Sequence, residues 1–66
     1  MILKPSRSSS YRFVFNGEHG VNCFYNNEEV NYINCGDFAN NEATIEEVKE
    51  AIKSHYRVKK LKIINP

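Results

Sequence analysis

Four side chains in this sequence, His19, Cys23, Cys35 and His55, are of the types that hold transition metals. Zinc sites, however, draw their ligands in close pairs presented by a turn. Only His19 and Cys23 approach that spacing, while Cys35 and His55 stand alone in sequence. The pattern reads as two ordinary histidines and two buried thiols, with no metal. Nucleophilic catalysis needs a serine or cysteine beside a base and an orienting third group. Four of the five serines, Ser6, Ser8, Ser9 and Ser10, crowd the N-terminus, and neither cysteine has such neighbours in sequence. A phosphate-cradling loop needs several glycines at fixed offsets, and Gly17, Gly20 and Gly36 match no such spacing. A chain of 66 residues also has little room for a catalytic pocket. The expectation is a non-enzymatic protein with no cofactor and no metal.

The charges are more informative than the nucleophiles. From Phe13 to Val48 there are seven acids (Glu18, Glu28, Glu29, Asp37, Glu42, Glu46 and Glu47) and no Lys or Arg. Residues 1–12 carry three bases and no acid, and residues 49–66 carry six bases against Glu50 alone. The net charge of +1 conceals segments of −7, +3 and +5. Such asymmetry speaks about partners rather than fold. The seven acids form a candidate docking rim, with Tyr25 and Tyr32 as aromatic anchors beside it. Arg12, Arg57, Lys59, Lys60 and Lys62 form the competing candidate, a basic edge for nucleic acid.

These residues must be positioned by one small domain. With 41% apolar residues, including four Phe and four Tyr, the chain can build one core. No apolar run approaches the ~20 residues of a membrane span, and the first ten residues do not read as a signal peptide. The expected compartment is therefore the cytoplasm. Residues 1–10, with Lys4, Pro5, Arg7 and the serine run, read as a basic arm ahead of a domain over residues 11–66.

Within that domain Tyr11–Phe15 and Val21–Tyr25 alternate as strands. Pairing Phe15 with Val21, Phe13 with Cys23 and Tyr11 with Tyr25 puts the partners of all three pairs on one face, across a loop from Asn16 to Gly20. Asn26 to Glu29 reads as a polar loop and Val30 to Cys35 as a third strand. There Val30 and Tyr32 compete with Ile33 and Cys35 for the core side. Asp37 to Ala43 reads as a loop, with Phe38 available to fold onto the core. Thr44 followed by Glu47 is a capping-box signature, and Ile45, Val48 and Ile52, then His55 or Tyr56, recur at helical spacing. Lys60 to Ile64 completes the pattern as a strand, closed by Asn65-Pro66.

The order β-β-β-α-β predicts an α+β fold. A right-handed crossover would set the last strand parallel to the first, giving a mainly antiparallel four-stranded sheet of order 3-2-1-4. One helix would cover one face. The other would carry Arg12, Val14, Asn22, Phe24, Lys60 and Lys62.

In size, asparagine content and absence of catalytic signature, the chain resembles accessory proteins of phages and mobile elements from AT-rich bacteria, anti-CRISPR and other anti-defence inhibitors among them. That resemblance implies a protein that binds and blocks a partner, and the acidic rim points to a basic or nucleic-acid-binding surface as what such an inhibitor would mask. The alternative is a small nucleic-acid-binding domain using the basic C-terminal edge. Either state, monomer or homodimer through an open strand edge, fits the composition.

Overall fold

In the computed structural model, residues 1–36 and 42–64 are described. Asp37, Phe38 and Asn65-Pro66 lie outside them. The elements are β1 (Ile2–Lys4), β2 (Tyr11–Phe15), β3 (Gly20–Tyr25), β4 (Glu28–Asn34), α1 (Ile45–Tyr56) and β5 (Lys62–Ile64). They form an α+β fold in which a five-stranded sheet of order β4-β3-β2-β1-β5 is antiparallel throughout.

The sheet differs from the expected four-stranded one at its N-terminal side. Ile2–Lys4, expected in an arm, is a strand between β2 and β5. Its Leu3 is completely buried. The last strand therefore pairs antiparallel with β1 instead of parallel with β2. Three apolar-basic residues are too short a run to announce a strand, but two neighbours satisfy its backbone and the core takes Leu3. Residues 5–10 return the chain through local hydrogen bonds. Lys4 Nζ donates to Arg7 O (3.0 Å), Ser9 N to Ser6 O (3.2 Å) and Tyr11 N to Ser9 Oγ (3.1 Å).

The β2–β3 register is the one the apolar alternation demands, with Phe15, Phe13 and Tyr11 opposite Val21, Cys23 and Tyr25. Asn16 organises the loop, its Oδ1 accepting from Glu18 N (2.8 Å) and Gly20 N (3.1 Å).

The β3–β4 turn is tighter than expected. Asn26 and Asn27 both have positive φ (51° and 67°), as a two-residue type I′ hairpin requires, and asparagine tolerates it. Glu28 and Glu29 are therefore strand residues, not loop residues. A bulge follows: Phe24 faces Glu29 and Cys23 faces Asn31, leaving Val30 as the extra residue, 53% exposed. Past it, Ile33 and Cys35 reach the core while Tyr32 takes the opposite face. The bulge explains why alternation alone left this strand's facing open.

Helix α1 starts as its sequence dictates. Glu47 N donates to Thr44 Oγ1 (3.2 Å) and Thr44 N to Glu47 Oε1 (2.8 Å). Val48 and Ile52 are buried against the sheet. Tyr56, rather than His55, ends the apolar stripe, its ring 5.1 Å from Phe13 and 5.4 Å from Tyr11. Arg57 closes the helix in the left-handed region, its N–H donating to Lys53 O at 2.9 Å. The core is Leu3, Phe13, Val21, Cys23, Ile33, Cys35, Ala43, Val48 and Ile52, all on the helix side.

Candidate functional site

With the helix on one side, the registers define what the other side carries. Across all five strands Tyr32, Asn22, Val14, Ile2 and Ile64 stand in one row. In the next row Glu29 faces Phe24, Phe24 faces Arg12, and Lys4 faces Lys62. One further step along the β1–β2 ladder sets Lys4 beside Arg12. This uncovered face thus holds two aromatics, three aliphatics and three cations. Lys4 was expected in the arm and Lys60 on this face; Lys62 alone of the C-terminal lysines shares the row.

Three features of this face stand out chemically. Lys4 and Lys62 are direct cross-strand neighbours of like charge, an arrangement that costs stability. The Arg12 guanidinium lies over the Phe24 ring, 4.5 Å from its centroid. Its Nε is buried with no hydrogen-bond partner, and no carboxylate among the described residues pairs with it. Finally, Tyr32 is 49% exposed yet lies over Gly20, where a Cβ would come within 2.5 Å of Tyr32 Cζ. The glycine is what lets the ring lie down on the sheet. Among the described residues, the one acid these registers place on the face, Glu29, accepts from Asn22 Nδ2 at 3.0 Å.

The seven-acid rim is divided. Glu28 and Glu29 begin β4, at the turn end of the sheet, while Glu18 lies in the loop at the opposite end. A seven-residue strand separates them by roughly 20 Å. At the far end, Ala43 N donates to Glu18 O (2.8 Å), which ties the β2–β3 loop to the residues before the helix. Glu18 and Glu42 are thereby brought near the helix start, where Glu46, Glu47 and Glu50 line an open groove against Asn34 and Gly36. Glu47 is engaged in the capping box. Asp37 is outside the described residues. Tyr25 does not join this group: it packs on Tyr11, with ring centroids 4.8 Å apart, at the turn end.

Of the basic candidates, Arg12 and Lys62 share the uncovered face. Arg57, Lys59 and Lys60 are exposed on the connection from α1 to β5.

The thiols are free and buried. Cys23 faces Asn31, whereas Cys35 N donates to His19 O (2.8 Å), so the two are about four residues apart along the ladder. At roughly 13 Å their backbones are too far apart for a disulfide. Burial pushes both thiols up; at Cys23 a hydrogen bond with Tyr56 partly opposes it and the charge of Glu29 adds a little, and at Cys35 the charge of Glu47 adds to it. Both stay protonated at neutral pH. His19 Nδ1 sits 3.0 Å from Cys35 O and His55 Nδ1 sits 3.1 Å from Ala51 O. Among the described residues no three His, Cys, Asp or Glu side chains gather closely enough to hold a metal ion. No described helix is long and apolar enough to cross a membrane.

No protein-family model, no curated protein and no solved structure matches the chain.

Proposed function

We propose that this chain is a non-enzymatic nucleic-acid-binding module whose working surface is the sheet face left uncovered by α1. The observation that carries the reading is the row Lys62, Lys4, Arg12 and Phe24. A sheet built for stability alone would set an acid opposite one of those lysines. Here like charges face each other, and the arginine beside them stacks on an aromatic ring without a carboxylate. A polyanion would relieve that repulsion, and the aromatics beside it suit bases.

The test is a titration of fluorescently labelled nucleic acid followed by anisotropy at several salt concentrations. Three phosphate contacts give a slope of log affinity against log salt of about −2 for a single strand. Lys4→Ala and Lys62→Ala should each flatten it by about 0.7. Absence of binding at low salt, or binding unchanged by Lys4→Glu with Lys62→Glu, removes the reading.

A second reading, a protein-binding inhibitor that docks its acidic end on a basic partner, is supported by the gathering of Glu18 and Glu42 with Glu46 and Glu50. Steering by such an end would raise association rates at low salt. A pull-down from host extract treated with nuclease distinguishes the two. Capture lost on Glu46→Lys with Glu50→Lys, and kept on Arg12→Glu, would favour the acidic end.

A further inference from the structure

Resting on the nucleic-acid reading, we infer that the uncovered face takes single strands in extended form and discriminates against duplexes. Bases would stack on Tyr32 and on the Arg12–Phe24 pair, with phosphates along Lys62 and Lys4.

The geometry favours this occupant in three ways. First, the stacking surfaces are on the sheet itself. Tyr32 is half exposed and lies over Gly20, and the Arg12 guanidinium is stacked on Phe24 with no carboxylate partner among the described residues. Aromatic rings and guanidinium planes of this kind hold unstacked bases. A duplex buries its base faces against one another and would leave these groups nothing to stack on.

Second, no described helix lies on this face to enter a groove. The β3–β4 connection is a two-residue turn flanked by Tyr25 and Glu28, and β5 is three residues long. The one described helix lies on the opposite side, its buried stripe on the sheet and its exposed Glu46 and Glu50 facing solvent. Presented to a major groove, that helix would set carboxylates against phosphates.

Third, charge and apolar surface are side by side. Lys62, Lys4 and Arg12 occupy one row, and Ile64, Ile2, Val14 and Tyr32 the next. The Lys62–Lys4 end of the first row suits phosphates, while Phe24 further along that row and Tyr32 in the second suit bases. The face is about 19 Å across five strands, enough for a few nucleotides.

The experiment compares short labelled oligo-uridine, oligo-deoxythymidine and a duplex of equal length by anisotropy at low salt, using the full chain. Either single strand should bind at least about tenfold more tightly than the duplex, and Tyr32→Ala should cost about tenfold in single-strand affinity. Tyr32→Phe, which keeps the ring and loses only the hydroxyl, should bind as wild type. Circular dichroism of each variant checks that the fold is kept, and Phe24→Leu gives a second probe that preserves apolar bulk. Equal affinity for the duplex, or full affinity in both Tyr32→Ala and Phe24→Leu, overturns the inference while leaving nucleic-acid binding intact. No binding of any of the three overturns both. Preference of RNA over DNA, or the reverse, supports the inference and identifies the natural strand.

Discussion

Gly20→Ala tests how the uncovered face is built, because the methyl group has a defined obstacle. A Cβ at that position falls 2.5 Å from Tyr32 Cζ and 2.7 Å from Asn16 Nδ2, and closer still to the Tyr32 hydroxyl. The tip of the tyrosine must move by about 1 Å or more to restore ordinary contact. Asn16 cannot yield freely, since its Oδ1 holds the N–H groups of Glu18 and Gly20. Tyr32 is the group that gives, lifting off the sheet and surrendering packed surface. Overpacking of this sort costs about 1–3 kcal/mol. Against it, replacing glycine within a strand favours folding by about 0.5–1 kcal/mol. The net loss expected for Gly20→Ala is therefore about 0–2.5 kcal/mol, or a melting-temperature drop of up to about 20 °C at this chain length. In a Tyr32→Ala background the main obstacle is gone. There the same substitution should be neutral or mildly stabilising. Urea denaturation of the four proteins of this cycle, followed by circular dichroism, measures the coupling, expected at about 1–3 kcal/mol because the glycine term cancels. Additive costs, agreeing within about 0.3 kcal/mol, would refute the claim that Tyr32 lies on Gly20. A functional corollary follows, since Gly20→Ala should also weaken oligonucleotide binding by displacing the stacking ring.

Leu3→Ala should destabilise the fold by about 2–5 kcal/mol, since Leu3 is completely buried. That is a large share of what a 66-residue domain has to spare. A loss below about 0.5 kcal/mol in the same urea assay would mean that β1 is not part of the core. Stability should also fall in alkali. Burial raises Cys23, Cys35 and Tyr56 above their ordinary values, so the folded state holds protons that the unfolded chain releases. The urea midpoint should be insensitive to these groups below the ordinary thiol value of 9.0 and should drop as pH rises through and beyond it. A Cys23→Ala, Cys35→Ala protein should show a shallower drop, and an identical one would assign the effect elsewhere. Glu29→Gln removes a carboxylate from the uncovered face while keeping an acceptor for Asn22. It should tighten oligonucleotide binding two- to fivefold at low salt, by roughly the 0.4–1 kcal/mol expected of one nearby surface charge. Weaker binding would mean that Glu29 organises the site instead of opposing the ligand.

Much of this fold was legible in the sequence, for physical reasons that differ by element. The capping box of Thr44 and Glu47 is local chemistry, and the structure contains it as spelled. The β2–β3 register is fixed by burial, because a one-residue slip would expose Phe13 and Phe15. Elements that depend on distant partners were harder to read. Strand β1 is too short to carry a periodic signal, and only its two neighbours and the pocket for Leu3 make it a strand. With β1 inserted, the last strand changes both neighbour and direction. The bulge at Val30 broke the alternation that assigns faces in β4. Its partial signal was the conflict between Val30 and Tyr32 on one side and Ile33 and Cys35 on the other.

The same effects reshaped the candidate site. Acids that are clustered in sequence fall at two ends of the sheet, because β4 runs between them. Lys4 joins Arg12 and Lys62 only through the ladder that β1 completes. Arg12 and Phe24 were legible as residues of the uncovered face, whereas the stacking of one on the other is a matter of side-chain packing.

On the proposed function, the face opposite α1 is where this protein meets its ligand. An amide chemical-shift map of the isotopically labelled chain, recorded as single-stranded oligonucleotide is added, tests it residue by residue. The largest shifts are expected at Lys4, Arg12, Phe24, Tyr32 and Lys62, with Glu46, Glu50 and Ser54 on the far side unmoved. Shifts concentrated around Glu18, Glu42 and the start of α1, or no shifts at saturating oligonucleotide, would contradict it.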